Sequence, residues 1–384
     1  MSLKGQICTK GIWDESIPGI VFDKNGVSNY AKLFDTLAES YPRGEKGQNE
    51  WSRIVNKIKI KGQKNRYDCI IGVSGGTDSS YLLFLAKQNG LRPLAVNLDN
   101  GWNSNISVKN IRKMTEALNI DLETYVINYE EIKDLFRSYM LAGLPWVDLP
   151  TDLAIKAILY KIANREKVKY ILRGNNFLSE GTQPTEWTYG DGRQLLSVHR
   201  KFGTTKLKTF PNYTLSNLIY FGFYKKIKSI YPFYYLDYTK SHAQQFLIDN
   251  YNWEYYGGHH HENVFTKFVI SYWIFEKFGI DKRIISLSSQ ILNGEITRSQ
   301  AIELINEVPY ESGQKDIMID YVIKKLDFTK EEFERIMCSK NKTFKDYPSY
   351  QFLFTRLLKI TVPLLKLIFI HKPQSIYKIE IIGE

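Results

Sequence analysis

Cysteine is scarce in this chain, whose 384 residues include only Cys8, Cys69 and Cys338. No two of them lie close together in the sequence, which excludes a disulfide framework, a C-x-x-C redox motif and a zinc knuckle. A chain with few thiols and no pairing pattern is typical of a reducing compartment. We therefore expect a cytoplasmic protein.

Long apolar runs are missing as well. The N-terminus, MSLKGQICTKG, lacks the hydrophobic region of a signal peptide, and no run approaches the ~18 residues of a membrane span. The nearest candidate, ITVPLLKLIFI at residues 360–370, is interrupted by Pro363 and Lys366, so we interpret it as a short helix or strand packed on the core. The sequence thus predicts no transmembrane segment.

The composition is that of a folded protein with a basic surface. Hydrophobic residues make up 43% of the chain and charged residues 24%, which excludes a disordered or fibrous class. The net charge of +11 indicates an anionic partner, such as a nucleotide, a nucleotide sugar, RNA or a membrane surface. A basic surface that only aids solubility would explain the same charge.

Strand and helix patterns alternate from residue 68 onward. Short apolar runs at DCIIGV, RPLAVNLD, LETYVI and VKYILRGNN are typical of strands, and the segments between them have helical apolar spacing. This alternation predicts an α/β fold, a parallel sheet flanked by helices, with ligands at the carboxyl ends of the strands.

The chain divides into four predicted regions. Two capping-box patterns, Thr297 with Gln300 and Thr329 with Glu332, predict helix starts in the last of them. The regions are an N-terminal extension (1–65), an ATP-binding core (66–180), an aromatic-rich acceptor-binding insertion without a clear period (181–262) and a mostly helical C-terminal region (263–384).

The most informative motif is a glycine-containing turn between the first predicted strand and its helix. Its glycines let the backbone approach a ligand closely, and its amide groups with the helix N-terminus can bind phosphates. A carboxylate beside phosphates fits best if Mg²⁺ bridges Asp78 to them. The alternative is a turn that binds no ligand, but six consecutive small or polar residues between a strand and a helix favour phosphate binding. The candidate nucleotide-binding residues are Ser74, Gly75, Gly76, Thr77, Asp78 and Ser79.

Polar residues after other strands are expected at the same edge of the sheet. Asp99 follows the second strand and is either a metal or ribose contact or a turn aspartate before Gly101. Gly174, Asn175 and Asn176 follow the fourth strand, and the asparagines either hydrogen-bond the nucleotide or the acceptor or only form the turn. Asp152 is predicted as the N-cap of its helix, with substrate binding as the second possibility.

Two further segments carry candidate substrate and catalytic groups. GGHHHEN supplies His259 as a substrate contact and His260, His261 and Glu262 as candidate catalytic groups, whereas core or capping histidines are the plainer interpretation. The basic stretch SVHRKFGTTKLKTF supplies three candidate contacts to a polyphosphate or nucleotide sugar, or is simply a solvated basic face. These three are His199, Lys201 and Lys206.

Two resemblances follow from these motifs. VSGGTDS resembles the pyrophosphate loop (PP-loop) of the N-type ATP pyrophosphatases, which have an adenine nucleotide alpha hydrolase-like fold; the lysine of a G-x-x-x-x-G-K-[ST] loop is absent. DLPTDLAIKA, HRKFGTTKLKTFP and WEYYGGHHHENVFTKFVISYWIFEKFGIDKRIISLSSQILNGEITRSQAIELI resemble the N-acetyl sugar amidotransferase family over roughly residues 7–350.

The second resemblance implies a reaction and its partners. Family members turn the acetamido group of a UDP-linked or related bacterial surface sugar into an acetamidino group, in O-antigen, lipopolysaccharide or flagellin-sugar pathways. ATP with Mg²⁺ would adenylate the acetamido oxygen, and ammonia would then displace AMP. Because no cysteine here has the context of a glutaminase nucleophile, ammonia is expected by channelling from a glutaminase partner with a histidine-biosynthesis-like synthase subunit; no nucleic-acid partner is expected.

The sequence departs from this family at the N-terminus. Family members often carry two C-x-x-C motifs that resemble a zinc site, and the corresponding positions here are Cys8, Gly11, Ser28 and Ala31. One cysteine cannot complete a four-ligand site, so we expect a degenerate zinc-ribbon-like lobe without zinc. The rival hypotheses are a tRNA-modifying PP-loop enzyme of the thiolase or lysidine-synthase type and an inactive nucleotide-binding scaffold.

Overall fold

The fold is built around one parallel β-sheet. The computed structural model describes residues 3–258, 261–310, 313–353, 355–356 and 374–383. Neighbouring strands pair in the order β3-β2-β1-β4-β5, and every pairing is parallel. The strands are β1 (Cys69–Gly72), β2 (Pro93–Asp99), β3 (Leu122–Val126), β4 (Tyr170–Leu172) and β5 (Lys228–Ile230).

Helices make up most of the remaining chain. Two π-helical segments, Ile219–Tyr224 and Val269–Lys277, continue α10 and α12, and two short 3₁₀ turns occur at Pro232–Tyr234 and Phe344–Asp346. The α-helices are α1 (Asn29–Ser40), α2 (Gly44–Gly62), α3 (Thr77–Gln88), α4 (Asn105–Ala117), α5 (Tyr129–Leu141), α6 (Leu149–Arg165), α7 (Phe177–Glu180), α8 (Thr185–Thr188), α9 (Gly192–Phe202), α10 (Leu215–Leu218), α11 (Lys240–Tyr251), α12 (Val264–Phe268), α13 (Arg283–Leu292), α14 (Arg298–Asn306), α15 (Lys315–Lys325), α16 (Lys330–Cys338) and α17 (Gln374–Ile382).

Both faces of the sheet are covered by helices, because successive residues of a buried parallel strand point to opposite sides. Ile70 of β1 and Val96 of β2 belong to one core with residues of α5 and α6. Ile71 and Ala95 belong to a second core with residues of α1, α2 and α3. The predicted α/β fold with helices on both faces is confirmed.

Sequence patterns predict several element boundaries correctly and miss others. The capping boxes at Thr297 and Thr329 are present and begin α14 and α16. Asp152 is not an N-cap: α6 begins earlier, after Asp148, so Asp152 lies in its first turn and accepts a hydrogen bond from Trp146 Nε1 at 2.7 Å. Strand β5 falls in the aromatic-rich segment that shows no clear period, and the sequence does not predict it.

The N-terminal lobe is held by apolar packing. Cys8 and Ala31 are fully buried in a third core, which also contains Ile284 and Ile285 of α13. The Ser28 N–H group donates to Cys8 Sγ at 3.3 Å, and Ser28 Oγ accepts from the Ala31 N–H group at 3.1 Å. Positions expected to hold zinc in the related family therefore contact each other directly here. The absence of zinc stays a prediction, tested by metal analysis of the purified protein.

No helix in the described part of the chain combines the length and the apolar character needed to cross a membrane. The apolar segment at residues 360–370 lies outside the described residues.

Candidate active site

A cleft of about 530 Å³ opens at the carboxyl ends of the central strands. Its walls come from the residues that follow β1, β2 and β4, and from the segment that leads into α12. The volume is in the range of small-molecule sites, and the position is where parallel sheets bind their ligands. Residues that lie far apart in sequence meet at this edge because every strand of the sheet points the same way.

The turn between β1 and α3 forms one side of the cleft and has the geometry of an anion-binding loop. Gly75 has φ +79°, and a Cβ there would lie 2.2 Å from the Ser107 carbonyl oxygen. Gly76 is the N-cap of α3 and makes no side-chain cap hydrogen bond. The N-cap residue therefore supplies no acceptor for the first N–H groups of α3, and with the helix dipole these groups favour a bound anion.

The loop is fixed from behind by two buried side chains. Trp253 Nε1 donates to the Gly75 carbonyl oxygen at 3.2 Å and lies at the same distance from Ser80 Oγ. Asn110 Nδ2 donates to the Glu254 carbonyl oxygen at 2.7 Å, and Asn110 Oδ1 accepts from the Glu254 N–H group at 2.9 Å. The segment after α11 is thus tied to the loop, which limits how far the loop can move.

Side chains from that segment contact the ligand-binding face of the loop. Tyr256 Oη accepts a hydrogen bond from the Thr77 N–H group at 3.2 Å. Glu262 Oε1 accepts one from Ser74 Oγ at 3.2 Å. A polyphosphate bound at the N-terminus of α3 would replace the Tyr256 hydroxyl as the acceptor of the Thr77 N–H group.

Asp78 in the first turn of α3 is neutralised by a lysine. Its carboxylate lies 3.3 Å from Lys240 Nζ and accepts a hydrogen bond from the Tyr238 hydroxyl. Burial lowers the pKa of Lys240, but Asp78 and other acidic neighbours raise it by more, so the pKa lies above its ordinary value. Lys240 therefore keeps its charge beside the loop.

Three more cations line the cleft, and no sequence motif predicts them. They are Lys156 on α6, Arg173 after β4 and Lys282 before α13. Burial, with a smaller contribution from Arg173, lowers the pKa of Lys156 to about 8. Burial also lowers the pKa of Lys282 to about 8, although acidic neighbours such as Asp152 oppose the change. Lys282 Nζ lies 4.0 Å from the centre of the Trp146 ring.

We expect anion binding in this cleft to take up protons near pH 8. A bound phosphate raises the pKa of a nearby ammonium group, so Lys156 and Lys282, half-deprotonated at pH 8 when the cleft is empty, become protonated on binding. The affinity for pyrophosphate should accordingly fall as the pH rises above 8. Calorimetry in buffers of different ionisation enthalpy measures the proton uptake, which Lys156→Met should reduce. Binding without proton uptake in the wild type would contradict this electrostatic account.

Comparison with known proteins finds a family model that matches the C-terminal region. Residues 262–361 match the family model described as "LPS biosynthesis protein WbpG-like, C-terminal domain". Residues 262–361 are therefore similar to this domain, and we call them the WbpG-like domain. The predicted resemblance to a family of bacterial surface-polysaccharide proteins is thereby confirmed.

The WbpG-like domain supplies one wall of the cleft. Glu262, Asn263, Thr266 and Lys282 all lie within it and all line the cleft. Asn263 caps α12 and its Nδ2 donates to Asn100 Oδ1, after β2, at 3.1 Å. The WbpG-like domain and the loop-bearing sheet therefore form one site.

Other similarities are more distant. The uncharacterized protein MJ1599 of Methanocaldococcus jannaschii is 30% identical over 144 residues, which is 36% of this chain and 49% of that protein. The chain thus spans about half the length of this curated relative. NMN synthetase from Francisella tularensis has a TM-score of 0.34 and 16% identity, covering 73% of this chain and 96% of that one. A predicted subunit of tRNA methyltransferase from M. jannaschii has a TM-score of 0.27 and 12% identity, covering 46% and 74%.

Most of the residues predicted from the loop lie at the cleft. Asp99 does not line it: its Oδ1 accepts from the Gly101 N–H group at 2.8 Å, as a turn aspartate does. Gly75 and Thr77 are buried behind the loop surface. The predicted residues that line the cleft are Ser74, Gly76, Asp78, Ser79, Asp152, Gly174, Asn175 and Glu262.

The histidine cluster is described only in part. His259 and His260 lie outside the described residues. His261 is half-buried, and its N–H group donates to the Gly258 carbonyl oxygen at 3.4 Å. It follows the Tyr256 segment and precedes Glu262, but it does not line the cleft. The catalytic roles of His260 and His261 stay predictions.

The basic segment, which begins in the last turns of α9 and continues into the loop after it, does not reach the cleft. Its loop is instead bound by a carboxylate of α5: Asp134 accepts from the Thr204 and Thr205 N–H groups at 3.0 and 3.1 Å and lies 3.0 Å from His199 Nε2. Lys201 and Lys206 are exposed. His199 therefore lies beside Asp134 and away from the cleft. Substrate binding by His199, Lys201 and Lys206 stays a prediction.

Asp134→Asn should lower the free energy of unfolding by about 1–3 kcal/mol, because it breaks charged hydrogen bonds in a buried place. Burial raises the pKa of Asp134, but bonds from Thr204 and Thr205 lower it by more, to a net value below the ordinary one. Its stabilising contribution is therefore present at neutral pH and lost as the pH falls through the acidic range. Denaturant unfolding measures both effects.

The matched variant is Lys206→Ala, an exposed change in the same loop. Neither variant should alter pyrophosphate affinity. Weaker binding by Lys206→Ala alone would instead support the substrate-binding role that the sequence predicts for this segment.

Proposed function

We propose that this protein is an ATP-dependent, AMP-forming amidotransferase. Its acceptor is a nucleotide-linked N-acetylated sugar, probed first as the UDP derivative, whose acetamido group becomes an acetamidino group in lipopolysaccharide or related surface-glycan biosynthesis. The observation that carries the proposal is an anion-binding loop in a cationic cleft, one wall of which belongs to the WbpG-like domain. One site then holds both ATP and a second substrate.

The proposed reaction has two steps. The acetamido oxygen attacks the α-phosphorus, a new P–O bond forms, and the bond between the α- and β-phosphates breaks to release pyrophosphate. Ammonia then attacks the activated carbon, and the C–O bond breaks so that AMP leaves with the former acetamido oxygen. The attacking nitrogen must lose one proton as the amidinium product forms.

The loop and the cations of the cleft supply the charge stabilisation. The N–H groups at the start of α3 hold the pyrophosphate part of ATP, where electrostatic stabilisation contributes most to a phosphoryl-type transfer. Lys240, fixed by Asp78, places positive charge beside the loop, and Lys156 adds positive charge to the cleft. Mg²⁺ would neutralise phosphate charge. Asp78 is the carboxylate of the loop, but its two oxygens are engaged by Tyr238 and Lys240, so the metal would be held mainly by the phosphates. No cluster of three metal-binding side chains occurs among the described residues.

Lys282 is suited to the second step. Because bound phosphate keeps its ammonium group protonated, Lys282 would stabilise the negative charge that develops on the departing AMP. Lys282 lies in the wall of the cleft that the WbpG-like domain supplies.

The ammonia source is proposed to be a partner glutaminase with a synthase-like subunit. Cys8 and Cys69 are buried, Cys338 is exposed at the end of α16, and none of the three lines the cleft. A glutaminase nucleophile must reach its substrate, which the buried Cys8 and Cys69 cannot do, and Cys338 at the end of α16 lacks the strand-to-helix turn of a nucleophile elbow.

The experiment measures pyrophosphate release from ATP with ammonium and a panel of acceptors. Sugar nucleotides with acetamido groups should stimulate release and gain an amidine, seen as the mass change of exchanging oxygen for NH. Sugars without an acetamido group are the matched controls. Release that depends on bulk tRNA, with no effect of any sugar, would replace this proposal by the tRNA-modifying one.

A further inference from the structure

A second recess lies beside the cleft, beyond the ends of β4 and β5. It has a volume of about 530 Å³, and we call it the tyrosine recess. Its walls include Tyr41, Tyr231, Tyr234, Asn176, Gln183 and Ser229. Asn175 and Glu180 line both the recess and the cleft, so the two spaces adjoin.

Aromatic faces dominate this recess. The Tyr231 and Tyr234 rings stack with centroids 5.0 Å apart and planes 16° apart, and Tyr41 meets Tyr234 edge-on at 4.9 Å. Gln374 of α17 donates to the Tyr234 hydroxyl at 2.6 Å and fixes that ring. Parallel, immobilised tyrosine rings are suited to contact a flat heterocycle.

Two residues that line the recess each have one buried polar atom without a hydrogen-bond partner among the described residues. Asn176 is 1% exposed; its Oδ1 caps α7 by accepting from the Leu178 N–H group, but its Nδ2 has no partner among the described residues. Gln183 Oε1 likewise has none within the described part of the chain. Because buried polar groups are normally paired, this donor and this acceptor indicate a ligand edge that offers an acceptor and a donor.

Positive charge separates the recess from the loop. Arg173 lines the cleft, Ser229 lines the recess, and Arg173 Nε donates to Ser229 Oγ at 3.1 Å. A ligand that occupied both the recess and the cleft would have its middle part beside Arg173 and Ser229. Guanidinium and hydroxyl donors are suited to bind phosphate there.

We propose that the tyrosine recess binds the base of the nucleotide that carries the acceptor sugar, with its diphosphate at Arg173 and Ser229 and its sugar in the cleft. This inference rests on the proposed function and adds the nucleotide-recognition site to it. The base pairs its amide-like edge with Asn176 and Gln183. ATP binds at the loop and at the end of the cleft next to β2, where Val96, Asn97 and Leu98 line the wall.

Titration calorimetry on the full chain tests this assignment without turnover. The probes are uridine, cytidine, guanosine and thymidine diphosphates, and ATP in parallel. One of the diphosphates should bind the wild type, and Tyr231→Ala should weaken it about 10-fold or more through lost stacking. Tyr231→Phe, which keeps the ring, should remain close to wild type. The control is Tyr224→Ala, since Tyr224 stacks on Tyr220 at 5.7 Å on the surface.

Asn176→Ser is a second variant that retains the fold, because serine caps a helix as well as asparagine does. It should weaken the diphosphate several-fold and leave ATP affinity unchanged. Loss of ATP affinity instead would assign the recess to adenine and overturn the inference. So would unchanged affinities in both recess variants, or no diphosphate binding by the wild type. Acceptor-dependent pyrophosphate release with a simple N-acetylated sugar would still support the proposed function in those cases.

Discussion

Gly75→Ala should reduce ATP-dependent pyrophosphate release by about 100-fold or more, since displacements near 1 Å at a reacting centre cost that much. The position needs glycine for two reasons: its φ of +79° and the Ser107 carbonyl oxygen, 2.2 Å from where a Cβ would stand. That oxygen belongs to the backbone of α4 and cannot move aside cheaply. The loop must shift, and the amide groups at the start of α3 lose their alignment.

Gly294→Ala is the matched control. Gly294 has a similar φ of +75°, but a Cβ there meets nothing within 4 Å. This variant carries the same kind of backbone strain, about 1–3 kcal/mol, without the collision. It should lose some stability and keep its activity. Equal activity in the two variants would remove the loop geometry from the mechanism.

Asp78→Asn should also lower pyrophosphate release by about 100-fold or more, in line with the loss of a key electrostatic group. The substitution removes the charge that holds Lys240 beside the loop and the carboxylate that accepts from Tyr238. We expect a moderate loss of stability as well, about 1–3 kcal/mol, from the lost charged hydrogen bonds. Steady-state assays and denaturant unfolding measure the two effects separately.

Asp121→Asn provides a close counterpart for that variant. Asp121 also accepts from a tyrosine hydroxyl, Tyr67 Oη at 2.6 Å, and pairs with a cation, Arg66, at 2.8 Å. It precedes β3, at the opposite edge of the sheet from the cleft. Its replacement should leave turnover unchanged. A similar loss of activity in both variants would show that the Asp78 effect is one of general stability.

The loop could be found from the sequence because its chemistry is local. A strand, two glycines and a helix start are consecutive, and their conformations depend on one another rather than on distant residues. The sequence also predicts that the carboxyl ends of β1 and β4 lie at one edge of the sheet, since parallel strands share a direction. The segments that follow β1 and β4 approach each other closely at Gly174, where a Cβ would lie 3.2 Å from Asp78 atoms.

The cations of the cleft could not be found in this way. Lys156 lies within an amphipathic helix and Lys282 stands before another, in contexts that match many solvated lysines. Only the packing of α6 and α13 against the sheet edge turns them toward the cleft. Conversely, the basic stretch around Lys206 looks like a phosphate site because charge is visible in sequence, whereas the buried Asp134 that binds its loop is not.

Strand β5 and the first two helices show a further limit. β5 spans only Lys228–Ile230 and depends on pairing with β4, so its sequence carries little period of its own. α1 and α2 are amphipathic but lie next to turn signals and lysine runs, which favour an extension over a packed layer. Only the folded structure shows that their apolar faces pack in the second core of the sheet.

The central claim is that the acetamido oxygen is adenylated, and isotope transfer tests it directly. An acceptor labelled with ¹⁸O in its acetamido carbonyl is turned over with ATP and ammonium, and the AMP is examined by mass spectrometry. The account predicts that the label appears in the AMP phosphate, one atom for each amidine formed. Label found in water or retained by the sugar product, or ADP formed in place of AMP, would contradict it.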